Sequence, residues 1–310
     1  MAETLTTLTG TLRELSVQYA TKQPNQVDYL TEETPVLDSV PFEPSSHALW
    51  NVYDEVTEVS GGGFVDMDAP LPELAVSSQL RKIDLSIIGG RMFCPEDKAR
   101  AFGGKDTYFA RKTPKALRKL GVDAEVSVIY DNLRAYALDQ GKALDAGGTG
   151  SANHCILAVR WVPGETMGLY SPEGFGQGAL INTASIMDGA LYENGEGILG
   201  YGVRLKGYFG VQLANPDTVA GIFNVDIAEG DTPTALMVDN LLDMVRGGEN
   251  TFLYCHRKVM SVLADAGKGA AFQMSAKERD VDRRIAEWNG VPIVTSYNFK
   301  DASEAMVDVG

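Results

Sequence analysis

The run Leu144-Asp145-Ala146-Gly147-Gly148-Thr149-Gly150-Ser151-Ala152-Asn153-His154-Cys155-Ile156-Leu157-Ala158-Val159-Arg160-Trp161 sets a glycine-rich stretch directly against an apolar one. Residues 146–152 invite comparison with a phosphate-binding loop. They lack the Lys of a Walker loop and the third Gly of a dinucleotide fingerprint, and they follow a helical pattern instead of a strand. The favoured reading is a flexible turn that delivers the chain from a helix into a β-strand over residues 155–162.

Upstream, Thr113-Pro114 reads as a helix start, with Thr capping the free amides and Pro at the first helical position, where its missing N–H costs nothing. The stripe Val122, Val126, Ile129, Leu133, Tyr136 carries that helix to about Gln140, with Gly141 as the stop and Gly121 as a place where it can kink. Before it lie two β-like segments, 49–59 and 74–88, separated by Ser60-Gly61-Gly62-Gly63 and by Pro70 and Pro72, which together read as a long hairpin with a flexible tip. In the second segment the apolar alternation changes parity between Leu80 and Ile83, predicting a bulge or bend there. Residues 1–46 are polar, Thr-rich and punctuated by Pro24, Pro35, Pro41 and Pro44, with a short amphipathic stretch near Leu12 and Leu15. They read as an extended arm that must borrow its order from the rest of the fold or from a neighbouring chain.

Downstream, residues 146–210 are Gly-rich, with short β-like runs at 155–162, 168–170 and 203–211. A helix follows over 233–246, with Met237, Leu241 and Met244 on one face and Gly247-Gly248 as its stop. A strand over 251–254, a helix over 257–266 and a closing strand over 291–297 complete the pattern, with no internal repeat.

A chain of 310 residues, 44% apolar and 22% charged, can bury one large core or two modest ones. A formal net charge of −15 argues against tight binding to bare nucleic acid through a broad basic face, although an acidic wall can still enclose DNA. Cys94, Cys155 and Cys255 are odd in number and widely spaced, which argues against a disulfide framework or zinc site and for a reducing compartment. No apolar run reaches the roughly 20 residues of a membrane span, and residues 1–10 lack the layout of a secretory signal, so a soluble protein is expected.

Chemistry-bearing patterns are sparse. His47, His154 and His256 form no H-x-x-x-H pair, and ordinary packing or exposure is the expectation for each. No G-x-S-x-G elbow occurs; Gly164-Glu165-Thr166-Met167-Gly168 has only its outline, with Thr at the centre. Asp66 and Asp68 read as a solvated acidic loop, short of the oxygen ligands calcium needs.

The ordered succession of these pieces resembles the Hong Kong 97-like major capsid proteins of tailed bacteriophages. The likeness runs through 144–150, the strand 156–161, the turn Gly168-Leu169-Tyr170-Ser171-Pro172-Glu173-Gly174, then Gly200-Tyr201-Gly202-Val203-Arg204, the strand 208–213 and the series 219–226, and it covers most of the chain from about Val36. The resemblance implies an α+β fold with an N-terminal arm (1–48), an extended E-loop hairpin (49–88), a spine helix and peripheral domain (89–226), an axial domain (227–275) and a return to the peripheral domain (276–310). It implies a structural, non-enzymatic head protein that self-assembles into hexamers and pentamers of an icosahedral shell around double-stranded DNA, with no catalytic residue, cofactor or metal. Inter-subunit contacts are expected at the E-loop tip, Gly61, Gly62, Gly63 and Phe64. A separate scaffolding protein is expected, with a decoration protein and portal as further partners, no membrane, assembly in the host cytoplasm, and residence in the virion capsid. An encapsulin-like compartment with a protein cargo, a ring-forming tail or connector protein, and an enzyme with dispersed active-site residues stand as alternatives.

Overall fold

The computed structural model describes residues 10–11, 33–67, 70–171, 181–266, 273–275 and 285–309; most of the expected arm, including Leu12 and Leu15, lies outside the described residues. In chain order come β1 (Gly10–Thr11), α1 (Pro35–Ser39), β2 (Pro41–Pro44), β3 (Trp50–Gly61), β4 (Leu74–Asp84), β5 (Ser86–Pro95), α2 (Glu96–Ala101), α3 (Lys105–Ser127), a π-helical segment (Val128–Arg134) and α4 (Ala135–Asp139). Then follow β6 (Ala143–Asp145), β7 (His154–Arg160), β8 (Thr166–Tyr170), β9 (Ile181–Ser185), β10 (Tyr192–Glu193), β11 (Leu199–Leu213) and β12 (Val219–Val225). The last part holds α5 (Ala235–Met244), β13 (Thr251–His256), α6 (Val259–Ala266), β14 (Gln273–Ser275), β15 (Ile285–Trp288) and β16 (Val291–Ser296).

Strand β7 is central because it is buried on both faces and its alternate residues feed two cores. Cys155, Leu157 and Val159 join the core built with the π segment, α1 and Trp161, while Ile156 and Ala158 join the core under α5 and α6. A strand covered on both sides reads as a continuous apolar run, which is what residues 155–159 present. It sits in a seven-stranded sheet ordered β14-β15-β16-β13-β7-β12-β6. A second sheet gathers β5, β8, β9 and β10 around the long β11, with β2 and β1 continuing beyond β8. Because β12 ends at Val225 and β13 pairs antiparallel with β7, the boundary expected at 226/227 divides one sheet between two of the expected units.

The glycine-rich turn corrects one expectation: it follows β6, which pairs parallel with β12, and not a helix directly. Its glycines answer a close approach. A Cβ on Gly148 would stand 2.5 Å from the Asn224 carbonyl oxygen, and Gly147 has φ +103°. Asn224 itself adopts φ +56° at a register shift in β12, and its amide bonds Asp145 Oδ1 and the backbone of Val307. The turn is therefore a receiver for the C-terminal segment, which also bonds Asn153 and Gly150 through Glu304 and Met306.

The spine starts earlier than Thr113-Pro114. It begins at Lys105, after Gly103 and Gly104 at φ +83° and +115°, and Pro114 lies inside it. The apolar face extends N-terminally through Phe109 and Leu117, so packing holds the first turns and the local Thr-Pro signal is overridden. Gly121 is buried on that face and causes no break; the irregularity comes at the π segment, where Val128, Ile129 and Leu133 are buried. Val122, Val126 and Tyr136 of the expected stripe are only partly covered.

The hairpin forms as β3 and β4, but the second β-like segment splits. β4 ends at Asp84, Leu85 is buried against Met167 and Leu169, and β5 turns away to pair with β11. The parity change thus marks a change of partner, while the bulge itself lies on β3, between Val56 and Glu58.

Candidate assembly surfaces

Among the described strands β3 and β4 pair only with each other, forming a ribbon with arms of eleven or twelve residues, about 37 Å long. Ten of the eleven β4 residues are exposed, with Leu74, Val76 and Leu80 among them, and Phe64, Met67 and Leu71 stand in solvent around the tip. A two-stranded ribbon of this length is marginal by itself, and this one presents apolar groups that its own subunit does not cover. Gly61, Gly62 and Gly63 all have positive φ, and a Cβ on Gly61 would fall 2.0 Å from the Glu73 carbonyl oxygen, so the tip turn requires glycine there. The ribbon's base is firm. Asn51 Nδ2 donates to Gln212 Oε1 at 2.6 Å, Asn51 Oδ1 accepts from the Ser46 amide at 2.9 Å, and the His47 and Trp50 rings stack with centroids 3.5 Å apart.

Of the other side chains singled out from the sequence, the cysteines lie in packed surroundings, whereas Asp66 is exposed and Asp68 lies outside the described residues. Cys94, Cys155 and Cys255 are free and buried. Burial pushes the Cys255 thiol up to about 12, and burial reinforced by Glu304 raises Cys155 well above its usual value, which suits neither as a nucleophile. Glu304 gathers Tyr130, Cys155 and Arg134, fastening the C-terminal segment to the spine and the central strand. Glu125, buried in α3, accepts from the Val36 and Leu37 amides, Ser296 and Asn298; burial raises its carboxyl and these donors pull the other way.

Spacing alone could not reveal a further grouping, because its members come from three separate segments. His154, His256 and Asp301 converge beside a surface cavity of about 380 Å³, also lined by Asp226, Lys258 and Ser261. Desolvation holds the His256 ring below its ordinary value. Among the described residues no helix is long and apolar enough to cross a membrane.

A helical spine against a central mixed sheet, a second sheet built on one long strand, and a projecting ribbon define a shell-building subunit of the Hong Kong 97-like class. Solved structures of similar fold include that of bacteriophage epsilon15, at 12% identity over 87% of this chain and 88% of that one, with a TM-score of 0.53. Others are the bacteriophage JBD30 capsid (11% identity, 83% and 88% coverage, TM-score 0.48) and the SrpI encapsulin of Synechococcus elongatus (12%, 60% and 85%, TM-score 0.44). No curated protein matches the chain. Residues 126–307 match the family described as Major capsid protein GP7, and the chain belongs to that family: it is a phage major capsid protein.

Proposed function

We propose that the subunit forms hexamers and pentamers that close into an icosahedral shell around double-stranded DNA, and that the β3–β4 ribbon is its principal inter-subunit contact. The observation that carries this is the ribbon's uncovered apolar surface on a firmly anchored base. Burying it costs little conformational entropy at the base, and each fully covered Leu or Phe contributes about 1.5–3 kcal/mol. Gly61, Gly62, Gly63 and Phe64 are the contact residues at the tip, where glycine freedom lets one sequence fit both ring sizes. The sheet ordered around β7 would form the axial unit and the sheet around β11 the peripheral one, a division that follows strand pairing.

The role is structural and not enzymatic, with assembly in the host cytoplasm guided by a separate scaffolding protein and completed by a portal and a decoration protein. Deleting Gly61 to Phe64 should leave a folded subunit that sediments as free protein, where the unaltered chain yields angular shells or free capsomers by electron microscopy. Shells of normal size from the deletion variant would refute the ribbon's role, and unfolded monomer would refute its independence from the fold.

A further inference from the structure

His154 opens β7, His256 closes β13, and Asp301 lies on the C-terminal segment, yet one ligand-capable atom from each falls within 4.8 Å of the others. The Ala302 amide donates to His154 Nε2 at 3.2 Å, so the ring's lone pair is on that nitrogen, and the same nitrogen stands 3.4 Å from Asp301 Oδ1. Two electron-rich atoms thus face one another with no donor between them. His154 is 2% exposed, and its other nitrogen, Nδ1, is buried with no partner among the described residues. With the proton on Nδ1 that atom is a donor, which a water can satisfy; it is the two acceptors facing one another at His154 Nε2 and Asp301 Oδ1 that call for a cation.

The spacing fits one. An edge of 3.4 Å belongs to a tetrahedron whose centre lies roughly 2.1 Å from each corner, the distance at which zinc takes imidazole nitrogen and carboxylate oxygen. We propose that His154, His256 and Asp301 form a binding site for one first-row transition-metal dication of the zinc class, with its open coordination position toward the adjoining cavity. Two imidazoles select such a cation over magnesium or calcium, which prefer all-oxygen sets. Lys258 Nζ holds Asp301 Oδ2 at 2.5 Å, which orients the carboxylate and leaves Oδ1 to the metal. The metal displaces the hydrogen bond from the Ala302 amide to His154 Nε2 and the one from the Lys258 amide to His256 Nδ1, since a neutral ring that accepts at Nδ1 carries its proton on Nε2 and has no second lone pair to offer. The neighbouring ammonium weakens the site relative to a closed structural zinc centre. Its effect is to pin residues 301–302 across the ends of β7 and β13.

The test uses the full chain, stripped with a chelator and titrated separately with Zn²⁺ and Co²⁺. The unaltered protein should retain one equivalent of Zn²⁺ through gel filtration and show the visible bands of tetrahedral Co²⁺. Asp301→Asn, at an exposed side chain that leaves the core untouched, and His256→Gln should each weaken retention at least about tenfold and lose the cobalt bands. An unaltered protein that retains no Zn²⁺ overturns the site. So does undiminished retention in Asp301→Asn, which would move the metal to other groups whatever the fate of the second variant.

Discussion

Glu125 shows how much of this fold rests on a single buried side chain. Its two oxygens accept from the first amides of α1 and from Ser296 and Asn298 at the end of β16, so one carboxyl joins the spine to an N-terminal and a C-terminal segment. Glu125→Ala would strand several buried donors at about 1–3 kcal/mol each, and we expect a loss of about 3 kcal/mol or more in urea unfolding of unassembled subunits. Asp217 makes a different prediction. Its hydrogen bond to Lys142, reinforced by Arg246 at 2.6 Å, holds the carboxyl below its usual range. The folded form therefore ionises more readily than the unfolded one, so the stability it contributes is present above about pH 4 and is lost as pH falls through the lower folded value. Asp217→Asn should accordingly be less stable than the unaltered protein at neutral pH, with the gap closing on acidification; a gap constant from pH 6 to 3 would refute the linkage. At Gly148, where a Cβ meets backbone, Gly148→Ala should cost about 1–3 kcal/mol and loosen the C-terminal segment, read out as faster amide exchange around Met306.

The helical elements separate what local sequence dictates from what packing decides. Pro114 lies inside α3, where it lacks one backbone hydrogen bond and crowds the preceding turn. Pro114→Ala should lengthen the unbroken ladder and stabilise the subunit by about 1 kcal/mol, since the cost in an unrelaxed helix is nearer 3; a destabilised variant would mean that the bend itself packs. Thr-Pro was legible as a helix start because capping is chemistry between near neighbours. The true start at Lys105 was not, because it depends on Phe109 and Leu117 finding Cys94, Ile181 and Leu205, which are distant in sequence. In the same way the parity change near Ile83 could announce a break but not that β5 would leave β4 for β11. The ribbon, its glycine tip and the presence of strand β7 were legible, since alternating patterning, glycine clusters and short apolar runs are local; that β7 is covered on both faces was not, because α5 and α6 on one side and the π segment on the other come from distant stretches. The His154, His256 and Asp301 group was not, since strand pairing and a 45-residue separation between the last two bring it together.

For the molecule as a whole, the charge that says little about fold says something about association. Copies carrying a formal −15 each repel one another when brought into a shell, and that repulsion acts between solvent-exposed groups over roughly 8–10 Å at ordinary ionic strength. The apolar contacts of the ribbon are not screened in this way. Raising NaCl from about 0.05 to 0.5 M should therefore weaken the opposing term and leave the favourable one, lowering the protein concentration at which shells or capsomers appear in light scattering. Charge is also unevenly spread: residues 81–119 hold eleven of the 27 basic side chains and four of the 42 acidic ones, whereas 54–73, the outer ribbon, has six acidic residues and no basic one. Assembly that falls with added salt would mean that attraction between such oppositely charged stretches of neighbouring copies outweighs the net repulsion, and that ion pairs, not apolar cover, set the strength of the shell.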